Sequence, residues 1–377
     1  MMMNYTVKYG ELKEIFSSDI NKISIPGSGI CIHNVQFNSE EPSDCFLNIN
    51  DSRFGENSVF SYPVFSPEDP KNRRIILLFH GLNERSWLKY LVWAYYLCEL
   101  TGSYVVLFPI AFHINRSPEA WRDPRQMSLV MDERRSSFGN ISGSSFANVA
   151  LSERLNEDPL RFFFSGYRTL NDIMKLASTV RKGEHPVIPA GSRIDIFAYS
   201  IGAFLSQILL MSDPGDLFSE SKLFIFCGGS VFSNMHGTSK LIMDEQAFER
   251  IYDYYLHDFE KTIVRKNPLS GFLNSTRTGL SFRSMIDTSR LRSFREKIFR
   301  SLGDRMHSVS LINDRVIPPA GILSTMKLTG SMQNVEIIEF PYQYSHENPF
   351  PLFTSEISMK VNSCFEMIFT QAAEFLI

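Results

Sequence analysis

Little in this chain could serve as covalent or metal scaffolding. Its five cysteines, Cys31, Cys45, Cys98, Cys227 and Cys364, are an odd number with no Cys-x-x-Cys pair, so neither a disulfide framework nor a zinc site is indicated. No apolar run approaches the roughly 20 residues that span a bilayer, and Met1 to Phe16 lacks the hydrophobic stretch of a secretory signal. Charge is nearly balanced. Against 41 acidic residues stand 38 basic ones, a formal net charge of −3, which leaves no electrostatic footprint for nucleic acid. There is no glycine-rich phosphate loop and no internal repeat. The expectation from these absences is a cytoplasmic protein with no membrane span, metal or cofactor, acting on a small molecule. Oligomeric state is left open.

What is present suits one large domain with elaborations. At 377 residues and 44% hydrophobic content the chain can bury a substantial core. Strand patterns are predicted at Gly29 to Phe37, Val59 to Phe65, Ile75 to Phe79 and Ser103 to Phe108, and then near Ile194, Leu223, Val309 and Val335. Helical spacing separates the later ones, with helices predicted from Ser86 to Leu100 and from Thr354 to Ile377. Such alternation predicts an α/β protein with a mostly parallel central sheet covered by helices on both faces.

Residues Ile194 to Gly202 read I-D-I-F-A-Y-S-I-G. A β-branched and aromatic run stops at Ser200, with Ala198 and Gly202 two positions to either side. The following Ala203, Phe204, Gln207, Ile208, Leu210 and Met211 recur at helical spacing until Asp213-Pro214-Gly215. A serine on so tight a strand-to-helix turn needs small neighbours, because bulk at either position would meet backbone. Upstream, Arg73 to Phe79 leads into His80-Gly81-Leu82-Asn83, a hydrophobic strand ending in a side-chain-poor loop.

These two segments resemble the nucleophile elbow and oxyanion loop of the α/β-hydrolase superfamily. The elbow there is usually Gly-x-Ser-x-Gly, and Ala198 is a mild departure. The resemblance implies Ser200 as nucleophile and the backbone N–H groups of Leu82 and Ile201 as oxyanion donors, with His80, Gly81 and Gly202 as supporting residues. It also implies the chain order serine, acid, histidine. Val309 to Ile312 reads as a strand breaking at Asn313-Asp314, and Val335 to Phe340 as a strand running into a loop with His346, thirty-two positions beyond Asp314. Asp314 is therefore the candidate acid and His346 the candidate base. Of the other histidines, His80, His113 and His185 precede the serine, His236 and His257 fall in an expected cap, and His307 is read as preceding its strand.

Two segments exceed the minimal pattern. The first, residues 111 to 161, is read as a long, lid-like loop insertion. The second, residues 231 to 305, is read as a helical cap, leaving 1 to 230 and 306 to 377 as the core, with N-terminal strands within 1 to 70. Asn83, His113, Arg116 and Tyr199 are candidate substrate contacts, and Trp121 lies at the same sheet edge. In the cap, Arg277, Arg283, Arg290, Arg292 and Arg295 either pair with the acidic half of the segment and solvent or face the pocket. The implied activity is that of a serine hydrolase cleaving an ester or related acyl bond. The same fold also hosts peptidases, acyltransferases, thioesterases and non-catalytic binding proteins.

Overall fold

A computed structural model of the chain describes residues 4–41, 51, 54–264, 267–326, 334–352 and 355–377. Among them, nine strands form one sheet: β1 (Lys22–Ile25), β2 (Ile30–Asn38), β3 (Val59–Pro67), β4 (Arg74–Phe79), β5 (Tyr104–Leu107), β6 (Arg193–Tyr199), β7 (Leu223–Phe226), β8 (Met306–Leu311) and β9 (Val335–Ile338), in the order β1-β2-β3-β5-β4-β6-β7-β8-β9. From β5 to β9 every pairing is parallel, while β1, β2 and β3 join antiparallel at the β5 edge.

The central strands read as unbroken apolar runs because both faces are buried. In β4, Ile75, Leu77 and Phe79 enter one core while Ile76 and Leu78 enter the other, as a period of two requires. Helices α1 (Tyr5–Ile15), α2 (Leu88–Thr101) and α13 (Ser355–Leu376) pack together on one side. On the other side lie α5 (Leu160–Lys182) and α6 (Ile201–Ser212). The β6 run is interrupted by Asp195, which is fully buried and ion-paired with Arg74 at 3.2 Å.

Several expectations are corrected. Residues 111 to 161 are not a long loop: they carry α3 (Pro124–Phe138) and α4 (Val149–Glu157) and lead directly into α5. Helix α3 has a start signal that its hydrophilic sequence obscures, since Pro124 occupies its first turn and the Asp123 side chain accepts from the Arg125 N–H at 2.8 Å. His307 lies within β8 instead of before it. Helix α1 and strand β1 were not predicted. Cys45 and Thr354 lie outside the described residues; the four other cysteines are free and buried.

Residues 231 to 305 contain α7 (Glu245–Asp253), α8 (Phe259–Val264), α9 (Pro268–Ser275), α10 (Arg277–Ser284) and α11 (Arg292–Leu302), with α12 (Pro319–Met326) following β8. Aromatic packing joins this segment to the sheet layer: Phe282 on α10 meets Phe163 on α5 at 4.8 Å between ring centroids. The five arginines singled out in the sequence are occupied within the segment or on backbone. Arg283 and Arg290 pair with Glu260, Arg292 pairs with Glu296, Arg295 donates to the carbonyls of Ser284, Asp287 and Thr288, and Arg277 donates to Met211.

Residues 111 to 161 and residues 231 to 305 are fastened to each other. The guanidinium of Arg134 on α3 reaches both carboxylate oxygens of Asp244 at 2.9 and 2.7 Å, with both side chains buried. Asp244 also caps α7 by accepting from the Ala247 N–H. Among the described residues no helix is long and apolar enough to cross a membrane.

Candidate active site

At the C-terminal tip of β6 the chain turns through Ser200, whose φ of 57° and ψ of −123° are unusual for a residue with a side chain. The turn is kept tight by close packing. A Cβ on Gly202 would lie 2.7 Å from the Cβ of Phe79 and 2.9 Å from the carbonyl oxygens of Phe79 and His80. A Cβ on Gly228, beyond β7, would meet Ala203 at 2.6 Å and the Ser200 carbonyl at 3.0 Å. Only glycine fits at either position, and both contacts hold the serine against the neighbouring strand ends.

Loops after β8 and β9 bring two further groups to this tip. Ser200 Oγ lies 2.6 Å from His346 Nε2, and His346 Nδ1 lies 2.7 Å from Asp314 Oδ2. The other Asp314 oxygen accepts from the N–H groups of Val316 and Ile317, both at 2.9 Å. With Asp314 as a carboxylate, Nδ1 carries the imidazole proton and Nε2 presents its lone pair to the serine hydroxyl.

Tyr199 supports His346 from below. Its ring stacks on the imidazole with centroids 5.6 Å apart, and its hydroxyl donates to the His346 carbonyl. Burial raises the Tyr199 phenol well above its ordinary range, so it remains a donor. Lys89 donates to the Glu347 carbonyl at 2.9 Å, and the Ser239 hydroxyl donates to the Glu347 carboxylate.

The loop after β4 is held mainly by hydrogen bonds. His80 is fully buried, donates from Nδ1 to the Gly81 carbonyl at 2.7 Å, and accepts at Nε2 from the Ile110 N–H at 3.0 Å. Burial, reinforced by neighbouring His113, pushes its imidazole well below the ordinary histidine range. Tyr90 accepts from the Gly81 N–H at 3.0 Å and donates to Glu84 at 2.7 Å. Asn83, at φ 59°, donates through its amide to the carbonyls of Ala147 and Leu241, both at 2.8 Å, and so ties residues 111 to 161 and residues 231 to 305 to this loop. The N–H groups of Leu82 and Ile201 donate to none of the described residues.

Ser200 and His346 open into a cleft of about 630 Å³ whose wall includes Leu82, Asn83, Arg85, Tyr9 and Phe350. Of the residues expected here, Ser200, His346, Leu82, Gly81, Asn83 and Tyr199 line the cleft. His113 and Arg116 do not. Arg116 is fully buried, pairs with Asp172 at 2.8 Å and donates to Asn57 and to the Pro109 carbonyl. His113 is buried beside His80 and bonds through Nδ1 to the Ala111 carbonyl. Trp121 stacks edge-on with Phe54 away from the serine. Tyr9 and Tyr5 of α1, together with Tyr90 and Lys89 of α2, are contributions that no sequence signal announced. Among the described residues, no group of three or more His, Cys, Asp or Glu is placed to hold a metal ion.

A family described only as of unknown function, DUF6051, matches residues 41–377. No curated protein matches the sequence. Solved structures similar to this one include carboxyl esterase 2 from the mycorrhizal fungus Tuber melanosporum, 10% identical, with both chains wholly covered and a TM-score of 0.49. An S-formylglutathione hydrolase from Agrobacterium tumefaciens is 12% identical over 95% of this chain and all of its own, at a TM-score of 0.47. The esterase Est22 is 13% identical over 98% and 87%, at 0.48.

Proposed function

This chain belongs to the DUF6051 family, whose function is unknown, and we propose that it is a serine hydrolase of the α/β-hydrolase fold that cleaves an ester or related acyl bond. The observation that carries the reading is the hydrogen-bonded chain Ser200, His346, Asp314 beneath an open cleft, with the serine at positive φ. Residues 231 to 305 are its cap and residues 111 to 161 its second cover.

In the reaction, His346 Nε2 takes the hydroxyl proton as Ser200 Oγ attacks the substrate carbonyl carbon. Asp314 holds the charged imidazole in place. The oxyanion is received by the Leu82 and Ile201 N–H groups, and losing one such donor costs roughly 3 to 4 kcal/mol of barrier. His346 then returns the proton to the departing oxygen. A water molecule, deprotonated by the same imidazole, attacks the acyl-serine and releases the carboxylic acid with Ser200 restored.

The test is covalent labelling of the purified protein and its Ser200→Ala variant with a fluorescent fluorophosphonate, read by mass. Labelling of the wild type alone, together with loss of ester turnover in the variant, is the expected result. A folded wild type that resists the probe would overturn the mechanism.

A further inference from the structure

Beside the serine cleft lies a smaller cavity that the reaction scheme leaves without a role. Leu82 lines both spaces, and Ile201 lines the second. The two residues assigned to the oxyanion therefore form the near wall of this chamber. Its other walls come from α5, α6 and α10, including Phe162, Phe204, Ile208 and Phe282, and from Ile110 and His113 after β5, around about 60 Å³ of free volume.

One wall residue is a glycine with no packing reason to be one. Gly166 stands seventh in the 23-residue helix α5, where glycine costs roughly 0.5 to 1 kcal/mol relative to alanine. Helical glycines commonly admit a close neighbour. Here a Cβ would meet nothing within 4 Å. The missing side chain leaves open space at a residue that lines the chamber.

We infer that the chamber receives the apolar chain of the acyl group and that Gly166 sets its depth, an inference that rests on the serine mechanism above. A carbonyl oxygen held by Leu82 and Ile201 leaves two directions for the rest of the substrate. The alcohol must depart while the acyl group stays bonded to Ser200, so the wide cleft suits the leaving group and the smaller chamber suits the group that stays. A cavity of about 150 Å³ is known to hold benzene. At about 60 Å³ the chamber excludes a ring and leaves room for roughly two to four aliphatic carbons. The substrate class is thus a short-chain aliphatic acyl ester, with the alcohol side less restricted.

The experiment compares kcat/KM for p-nitrophenyl esters from acetate to octanoate in the wild type, Gly166→Ala and Gly166→Leu, with thermal melts for each. The wild type is expected to be fastest at propionate or butyrate. In Gly166→Leu the ratio of butyrate to acetate kcat/KM should fall at least tenfold, and Gly166→Ala should shift the ratio the same way by less. If Gly166→Leu fails to fold, the alanine variant still reads the effect. An unchanged chain-length profile in either folded variant would make the chamber a packing void and overturn the inference alone. Wild-type protein that turns over no ester, or Ser200→Ala protein that turns over all of them, would instead overturn the parent mechanism.

Discussion

The two halves of the site are built by different means. The serine turn is held by bulk: Gly202 and Gly228 leave no room for a methyl group, and the strain at Ser200 is imposed by backbone packed against backbone. The loop after β4 is held by donors and acceptors, through His80, Tyr90 and the Asn83 amide, and part of its support comes from segments outside the sheet. A packed turn fails when something is added. A bonded loop fails when something is removed, and it transmits whatever its distant partners do.

The largest effect is expected from Asp314→Asn. The amide oxygen can still accept from Val316 and Ile317, but the NH2 would face Nδ1 and enforce the wrong imidazole tautomer. We expect kcat to fall about 10⁴-fold with the melting temperature nearly unchanged; single-turnover kinetics with an activated ester checks this, and wild-type rates would place the acid elsewhere.

Gly202→Ala tests the packed half directly. Its methyl group has to displace the ends of β4, so stability should fall by roughly 1 to 3 kcal/mol and activity about 100-fold, because a shift near 1 Å at the nucleophile costs that much. Denaturant melts and kcat/KM should move together. A stable, active variant would mean the turn is looser than its contacts suggest.

Asn83→Gly probes the bonded half. Glycine keeps the positive φ and removes only the two side-chain bonds, so kcat should drop on the order of tenfold, about 1.4 kcal/mol, within the roughly 1 to 3 kcal/mol that two such bonds contribute. KM is expected to change less than kcat, and the Tm by no more than a few degrees. If KM rose while kcat held, the tie would serve substrate binding and not the geometry of the loop.

The smallest effect concerns pH. Burial lowers His113 and His185 to about 4 from an ordinary 6.5, and also holds His80 well below its ordinary range. Each is a base whose folded pKa lies below its unfolded one, so the unfolded chain binds more protons as the pH drops. Their contribution is complete above about pH 6.5 and is lost progressively towards pH 4, by up to about 1.4 kcal/mol per pH unit per histidine. His113→Gln should flatten the stability profile within that window, measured by urea melts at pH 4.5, 5.5 and 6.5; a slope as steep as wild type would assign the proton uptake to other groups.

The sheet was legible in the sequence because β4, β6, β7 and β8 are apolar runs bounded by turn residues, and a period of two or an unbroken apolar stretch survives without tertiary knowledge. The order of Ser200, Asp314 and His346, each on a turn or loop that follows a strand pattern, was readable for the same reason. Helix α3 was missed because its exposed, charged surface gives almost no apolar periodicity, although Asp123-Pro124 marked its start. Arg116 looked available to a ligand because it follows a strand end; nothing local indicated that Asp172, far along the chain, would bury and neutralise it. The roles of Tyr199 and Asn83 depend on contacts 147 and 158 positions away, which no local pattern encodes.

The Arg134–Asp244 pair joins residues 110 positions apart, and Ser145 and Asn148 add further bonds to the Lys240 and Ser239 carbonyls. Segments clasped in this way are expected to open as one unit, since freeing either edge leaves a buried charge on the other without its partner. Amide hydrogen exchange should therefore report one shared opening free energy across residues 83 to 85, 143 to 148 and 238 to 243, three stretches that would otherwise exchange as independent loops.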